Sequence, residues 1–97
     1  MTSELLPALK VGITSALPVA AALRRVLHAQ PRLSGQEGDT RDEMRRALDW
    51  LAWSPVAGTG AWSRLGPDGP AVGLRAELDA LPVNETTGVE WESRLPG

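Results

Sequence analysis

The chain contains no cysteine, no phenylalanine, no tyrosine and one histidine in 97 residues. Without cysteine there is no disulfide, no thiolate ligand and no thiol nucleophile. A catalytic zinc site takes three protein ligands from His, carboxylate and Cys. With His28 as the only imidazole, this chain could build no more than an all-carboxylate site. That donor set suits magnesium or calcium better than zinc, and no repeated Asp spacing supports it. The missing Phe and Tyr leave Leu, Val, Ala and four Trp to fill an interior. A basic excess is also missing: the net charge is −2, which argues against a nucleic-acid-binding face. Arg24–Arg25 and Arg45–Arg46 sit among acids on predicted helices and read as solvated faces. The apolar stretch from Val11 to Leu23 is shorter than the ~20 residues a membrane span needs. Glu4, the single Lys10 and Pro18 argue against a secretory signal. The expected compartment is the cytoplasm, with no membrane and no nucleic-acid partner.

What is present suits one small domain. A chain of 97 residues buries roughly 60–65% of the surface its unfolded form exposes, so its stability is marginal. An apolar share of 42% is enough for a core and too high for a disordered tail.

Residues 1–14 show no sustained period and are expected to form an N-terminal arm or a short helix. A helix is predicted from Ser15 to about Ala29, with Ser15 as N-cap and Pro18 in the first turn. Pro31 ends it, because the residue before a proline resists helical geometry. Ser34 followed by Glu37 fits a capping box at the start of a second helix. There Met44, Ala47, Leu48, Leu51 and Ala52 make one apolar stripe, and Pro55 closes it. Val56 to Leu65 reads as a strand pair around Gly58 and Gly60 with Trp62 on a buried face. Gly66-Pro67-Asp68-Gly69-Pro70 is a turn. Val72 to Leu81 then alternates, with Val72, Leu74, Ala76, Leu78 and Ala80 on one face and Gly73, Arg75, Glu77 and Asp79 on the other. This is the clearest strand pattern in the chain. Pro82 stops it, and residues 83–97 read as loop. Helix, helix, then strands is an α/β or α+β order.

Arg75, Glu77 and Asp79 share a face, with neighbours ~6.5–7 Å apart along an extended strand. Two readings stand side by side. The row is a solvated face with Arg75 paired to Glu77, or two carboxylates near a strand end hold a metal, orient a ligand histidine or relay a proton. His28 falls at the C-terminal end of the first helix, where the dipole favours it for structural reasons alone. Glu85, Glu90 and Glu92 read as solvated loop residues. Gly58 and Gly60 lack the Lys and Ser/Thr of a phosphate loop.

Three stretches resemble a known family. Leu23-Arg24-Arg25-Val26-Leu27-His28-Ala29-Gln30-Pro31-Arg32-Leu33-Ser34-Gly35-Gln36-Glu37 is similar to the N-terminal helix and turn of the amidohydrolases that include hippurate hydrolase, auxin-conjugate hydrolases and N-acyl-amino-acid deacylases. These group with the aminoacylases and carboxypeptidases of the binuclear zinc class. Gly58-Thr59-Gly60 and then Gly69-Pro70-Ala71-Val72-Gly73-Leu74-Arg75-Ala76-Glu77-Leu78-Asp79-Ala80-Leu81-Pro82-Val83-Asn84-Glu85 resemble the family's central strand and its loop. Thr87-Gly88-Val89-Glu90-Trp91-Glu92-Ser93 is similar to the family's segment after that loop. The resemblance runs over about residues 20–97, in order.

It implies a fold and a chemistry. The fold is α/β, with two N-terminal helices followed by strands, here an incomplete part of a binuclear-zinc exopeptidase-like catalytic domain occupying residues 15–97. The chemistry is hydrolysis of an N-acyl amino acid by two divalent metals, zinc or manganese, with a glutamate base acting on the bridging water. By resemblance Asp79 orients a metal-ligating histidine. Glu77 occupies a position that is often Asp in this branch and His in related ones, which makes it a second candidate. The family's next motif, like His-Ala-Cys-Gly-His-Asp, supplies the first ligands and is expected just beyond Gly97. The metal ligands, the general base and the inserted dimerisation domain are then expected outside this chain. The resemblance thus implies a segment that is inactive alone, or a non-catalytic remnant that serves as an interaction module.

Overall fold

The computed structural model describes residues 2–97, with side chains from residue 4 onward. A single helix, α1, runs from Thr2 to Ala29. The expected break at residue 14 is absent: Ser15 lies mid-helix, and both Pro7 and Pro18 are inside it. Leu- and Ala-rich flanks carry the helix through both prolines. Pro18 has no N–H to give the Thr14 carbonyl, which lies on an exposed turn where water can serve it. The C-terminal end matches expectation at Ala29, and the Arg94 N–H donates to the Ala29 carbonyl at 2.9 Å, covering one orphan acceptor. At 28 residues α1 is ~42 Å long, most of the molecule's 48 Å longest dimension. Its stretch Glu4–Ala29, 26 residues, is long and apolar enough to cross a bilayer, which the shorter run from Val11 to Leu23 is not.

The second helix, α2, spans Gly38–Ala47. The capping box does not form. Glu37 is the N-cap residue but makes no capping bond with its side chain; its carboxylate accepts from Thr59 Oγ1 at 3.0 Å. Ser34 lies in the preceding turn, where Gly35 has φ +85°. The helix also ends early. Leu48 is the C-cap, and its carbonyl accepts from Trp53 Nε1 at 2.9 Å, so Leu51 and Ala52 fall outside the stripe. Pro55, expected as a helix stop, sits in a strand.

That strand, β1 (Ser54–Val56), pairs antiparallel with β2 (Gly60–Trp62) in the register Ser54↔Trp62, Pro55↔Ala61 and Val56↔Gly60. A hairpin forms around Gly58, as the sequence predicts, but Trp62 is 54% exposed instead of buried. Val72–Leu81 is not a strand. The segment has no ladder; only its end joins another part of the chain, through a parallel bridge Leu33↔Ala80 with the Ala80 N–H donating to Arg32 O at 2.8 Å. Alternation prepares a chain for a sheet, but a strand exists only against a neighbour. Here Val72 and Leu74 are almost wholly exposed.

No apolar residue among those described is buried, and Thr40 is the one buried residue among them. The radius of gyration is 16.0 Å, against about 13 Å for a compact domain of this length. Two helices and a two-stranded hairpin are present, consistent with a part of an α/β fold.

Candidate functional site

The C-terminal third of α1, α2, residues 76–81 and the loop 83–93 line an open cavity of about 690 Å³. His28, Met44, Glu77, Asp79 and Glu85 are on its wall. Both carboxylates singled out from sequence therefore reach one concavity with the only histidine. The structure does not bond them to it.

Glu85 is the organised group. Its Oε1 accepts from His28 Nε2 at 2.7 Å and from the Ser93 N–H at 2.8 Å. Thr87 Oγ1 donates to its Oε2. An ionised carboxylate only accepts, so the His28 nitrogen facing it carries a proton. Three donors converging on one carboxylate favour its charged form, and the carboxyl is held down to about 2, chiefly by Thr87, then by Ser93 and His28. The Glu85 side chain is 15% exposed. The expectation of a solvated loop glutamate is thus overturned: Glu85 clasps the C-terminal loop to α1. Loop position alone gives no sign of a partner 57 residues away.

Glu77 pairs with Arg75 Nη1 at 3.5 Å, both well exposed, as the solvated-face reading predicts. Such a pair is worth ~0–1 kcal/mol. Asp79 is exposed and, among the described residues, has no hydrogen-bond partner, so it is available to a group brought into the cavity. His28 keeps the expected place at the helix end and adds the Glu85 bond. Arg25 is exposed, as the solvated-face reading expects, and stacks on Trp91 with its guanidinium 3.9 Å from the ring centroid. Arg46 is ion-paired to Glu43.

Among the described residues no three His, Asp or Glu side chains come together in a way that could hold a metal ion. The donor set agrees, since His28 is committed to Glu85 and Glu77 to Arg75. The chain's residues do not fit a two-metal centre, and no metal-dependent step can be built from them alone.

Comparison with known proteins returns relatives over this same stretch. The chain is 36% identical over 81 residues to N-acetylcysteine deacetylase of Bacillus subtilis, covering 77% of this chain and 21% of that protein. It is 41% identical over 81 residues to IAA-amino acid hydrolase ILR1-like 5 of Arabidopsis thaliana, covering 77% and 18%. It is 51% identical over 78 residues to a Rhodococcus jostii protein named for glutamate–cysteine ligase 2-3, covering 76% of this chain and 10% of that protein. The ligase and hydrolase matches must overlap across more than half of this chain. One segment is therefore common to both, and a tenth of a protein does not define the activity in its name. The chain spans between a tenth and about a fifth of the length of these relatives. No family model and no solved structure matches it. With residues 76–81 and Glu85 on the cavity wall and hydrolases of acylated amino acids among its relatives, about three quarters of this chain matches a stretch of the amidohydrolase family.

Proposed function

We propose that this chain is part of an amidohydrolase that cleaves N-acyl amino acids in the cytoplasm by two-metal hydrolysis. The observation that carries the reading is the match over 77% of the chain to proteins named as a deacetylase and an amino acid conjugate hydrolase. Metals, when bound by the complete centre, would polarise the amide and activate water. The contribution of this chain is positional. Asp79 stands unpaired on the cavity wall, free to accept from the imidazole of a ligand histidine and fix its tautomer. Glu77 is the second candidate, held ready by Arg75. Glu85, His28, Thr87 and Ser93 brace the wall without touching the reacting atoms. One histidine and no cysteine leave this chain without the donor set of a two-zinc centre, so the chain by itself is expected to turn over no substrate.

A chimera tests this. The matching segment of Bacillus subtilis N-acetylcysteine deacetylase is replaced by the corresponding 77% of this chain. The chimera should deacetylate N-acetylcysteine, and Asp79→Ala within it should lower kcat by at least about tenfold, the usual cost of losing such a partner. A folded, metal-loaded chimera indifferent to Asp79→Ala would remove the assignment.

A second reading, a non-catalytic interaction module, is favoured by the unpaired alternating segment and the uncovered apolar side chains of α1.

A further inference from the structure

Helix α1 carries, largely ahead of the family stretch, a segment with the length and the charged borders of a membrane span. We propose that Leu5–Leu23 crosses a lipid bilayer once and holds residues 26–97 at its cytoplasmic face. The inference goes beyond the amidohydrolase reading and does not depend on it.

The composition of the segment matters more than its exposure. A helix that packs on a protein core has one apolar stripe and one polar face. Here Leu5, Leu9, Ile13 and Leu17 run down one side, and Val11 and Ala22 lie on the opposite side. Lys10 is the one charged side chain between Glu4 and Arg24. A helix that is apolar all round is either enclosed by protein or spans a membrane. The deacetylase and the conjugate hydrolase match 77% of the chain, and the resemblance begins near residue 20. Leu5–Val19 is thus an addition to the shared stretch, with no place in it.

The dimensions and the borders select the bilayer. Leu5–Leu23 rises about 28 Å as a helix, against about 30 Å for the hydrocarbon layer. Glu4 marks one border and Arg24–Arg25 the other. Lys10 lies about 8 Å inside the Glu4 border, close enough for its stem to carry the ammonium back to the headgroups. Pro7 and Pro18 cost a water-exposed helix stability, whereas membrane helices tolerate proline. Orientation follows from the paired arginines, since Lys and Arg flanking a span stay on the cytoplasmic side. Trp91 of the C-terminal loop stacks on Arg25, 3.9 Å from guanidinium to ring centroid. That contact sets an indole at the same border, where Trp anchors membrane spans.

The full chain, expressed in bacterial cells, is tested by flotation on a sucrose gradient, which separates membrane protein from aggregate. Wild type should float with the membranes and resist extraction by alkaline carbonate. Ile13→Arg combined with Leu17→Arg sets two charges near the midplane and should lower the ratio of floating to non-floating protein at least about tenfold. Topology is read from single cysteines, a residue the chain otherwise lacks. Glu4→Cys should react with an impermeant maleimide added outside intact spheroplasts, and Asp68→Cys only after lysis. Wild type that stays soluble, or that pellets without floating, would overturn the proposal. Extraction by carbonate, as surface adsorption gives, would do the same, as would an intact mass showing the segment cleaved off as a leader. A double variant that floats like wild type, or labelling of Asp68→Cys from outside, would also overturn it.

Discussion

Acid is the perturbation to which the Glu85 clasp responds most selectively. The carboxyl lies at about 2, against an ordinary 4.5. At pH 4.5 an unrestrained glutamate is half protonated, whereas Glu85 is protonated in roughly 0.3% of molecules. The sign follows from linkage: a carboxyl depressed in the folded state contributes stability that is complete above the unfolded value. That stability is lost as pH falls through the folded value. The clasp therefore holds from neutrality to about pH 4.5 and releases between there and about pH 2. Carboxyl-detected NMR on glutamate-labelled protein gives the titration directly, with Glu85 assigned by Glu85→Gln. Thr87→Val keeps the side-chain shape and deletes the donor that acts most strongly, so it should move the Glu85 midpoint upward towards 4.5. His28→Asn should also move it upward, because it removes both the imidazole's hydrogen bond and its charge. A Glu85 midpoint near 4.5 in wild type, or one that Thr87→Val leaves in place, would refute the reasoning.

Other expected outcomes concern the elements around the cavity. Trp53→Phe keeps an aromatic ring but leaves the Leu48 carbonyl at the end of α2 with the Leu51 N–H as its one remaining donor, and should cost about 0.5–1 kcal/mol in denaturant unfolding. Arg25→Ala removes the cation over Trp91 and should cost ~0.5–1 kcal/mol, with a change in tryptophan fluorescence. Pro18→Ala should raise helix content by circular dichroism and favour α1 by up to about 3 kcal/mol, since nothing packs there to offset the proline. Thermal unfolding should be broad, because no apolar residue among those described is buried; a sharp two-state transition of monomer would contradict it.

Local rules are readable where local chemistry decides. Pro31 marks the end of α1 and the Gly58 region marks the hairpin, because a missing donor and a permissive φ act within a few residues. The start of α1 is not readable: Pro18 reads as a first turn, yet Leu and Ala on both sides carry the helix past it to Thr2. Ser34 and Glu37 have the spacing of a capping box, but Glu37 finds Thr59 instead, 22 residues away. The alternation in Val72–Leu81 places Arg75 against Glu77, but it does not make a strand, since ladder bonds belong to a pair of segments. Trp62, expected on a buried face, is 54% exposed. At the site, spacing and family resemblance both point to Glu77 and Asp79, and both line the cavity. Glu85 stays hidden in the sequence because its partners His28, Thr87 and Ser93 come from two separate parts of the chain.

The central claim is that this polypeptide supplies the wall of an amidohydrolase centre without the donors for its metals. Purified chain, incubated with zinc or manganese and then freed of unbound ion, should hold no stoichiometric metal and should release no acetate from N-acetylcysteine. One tightly bound zinc per chain together with measurable deacetylation would contradict it.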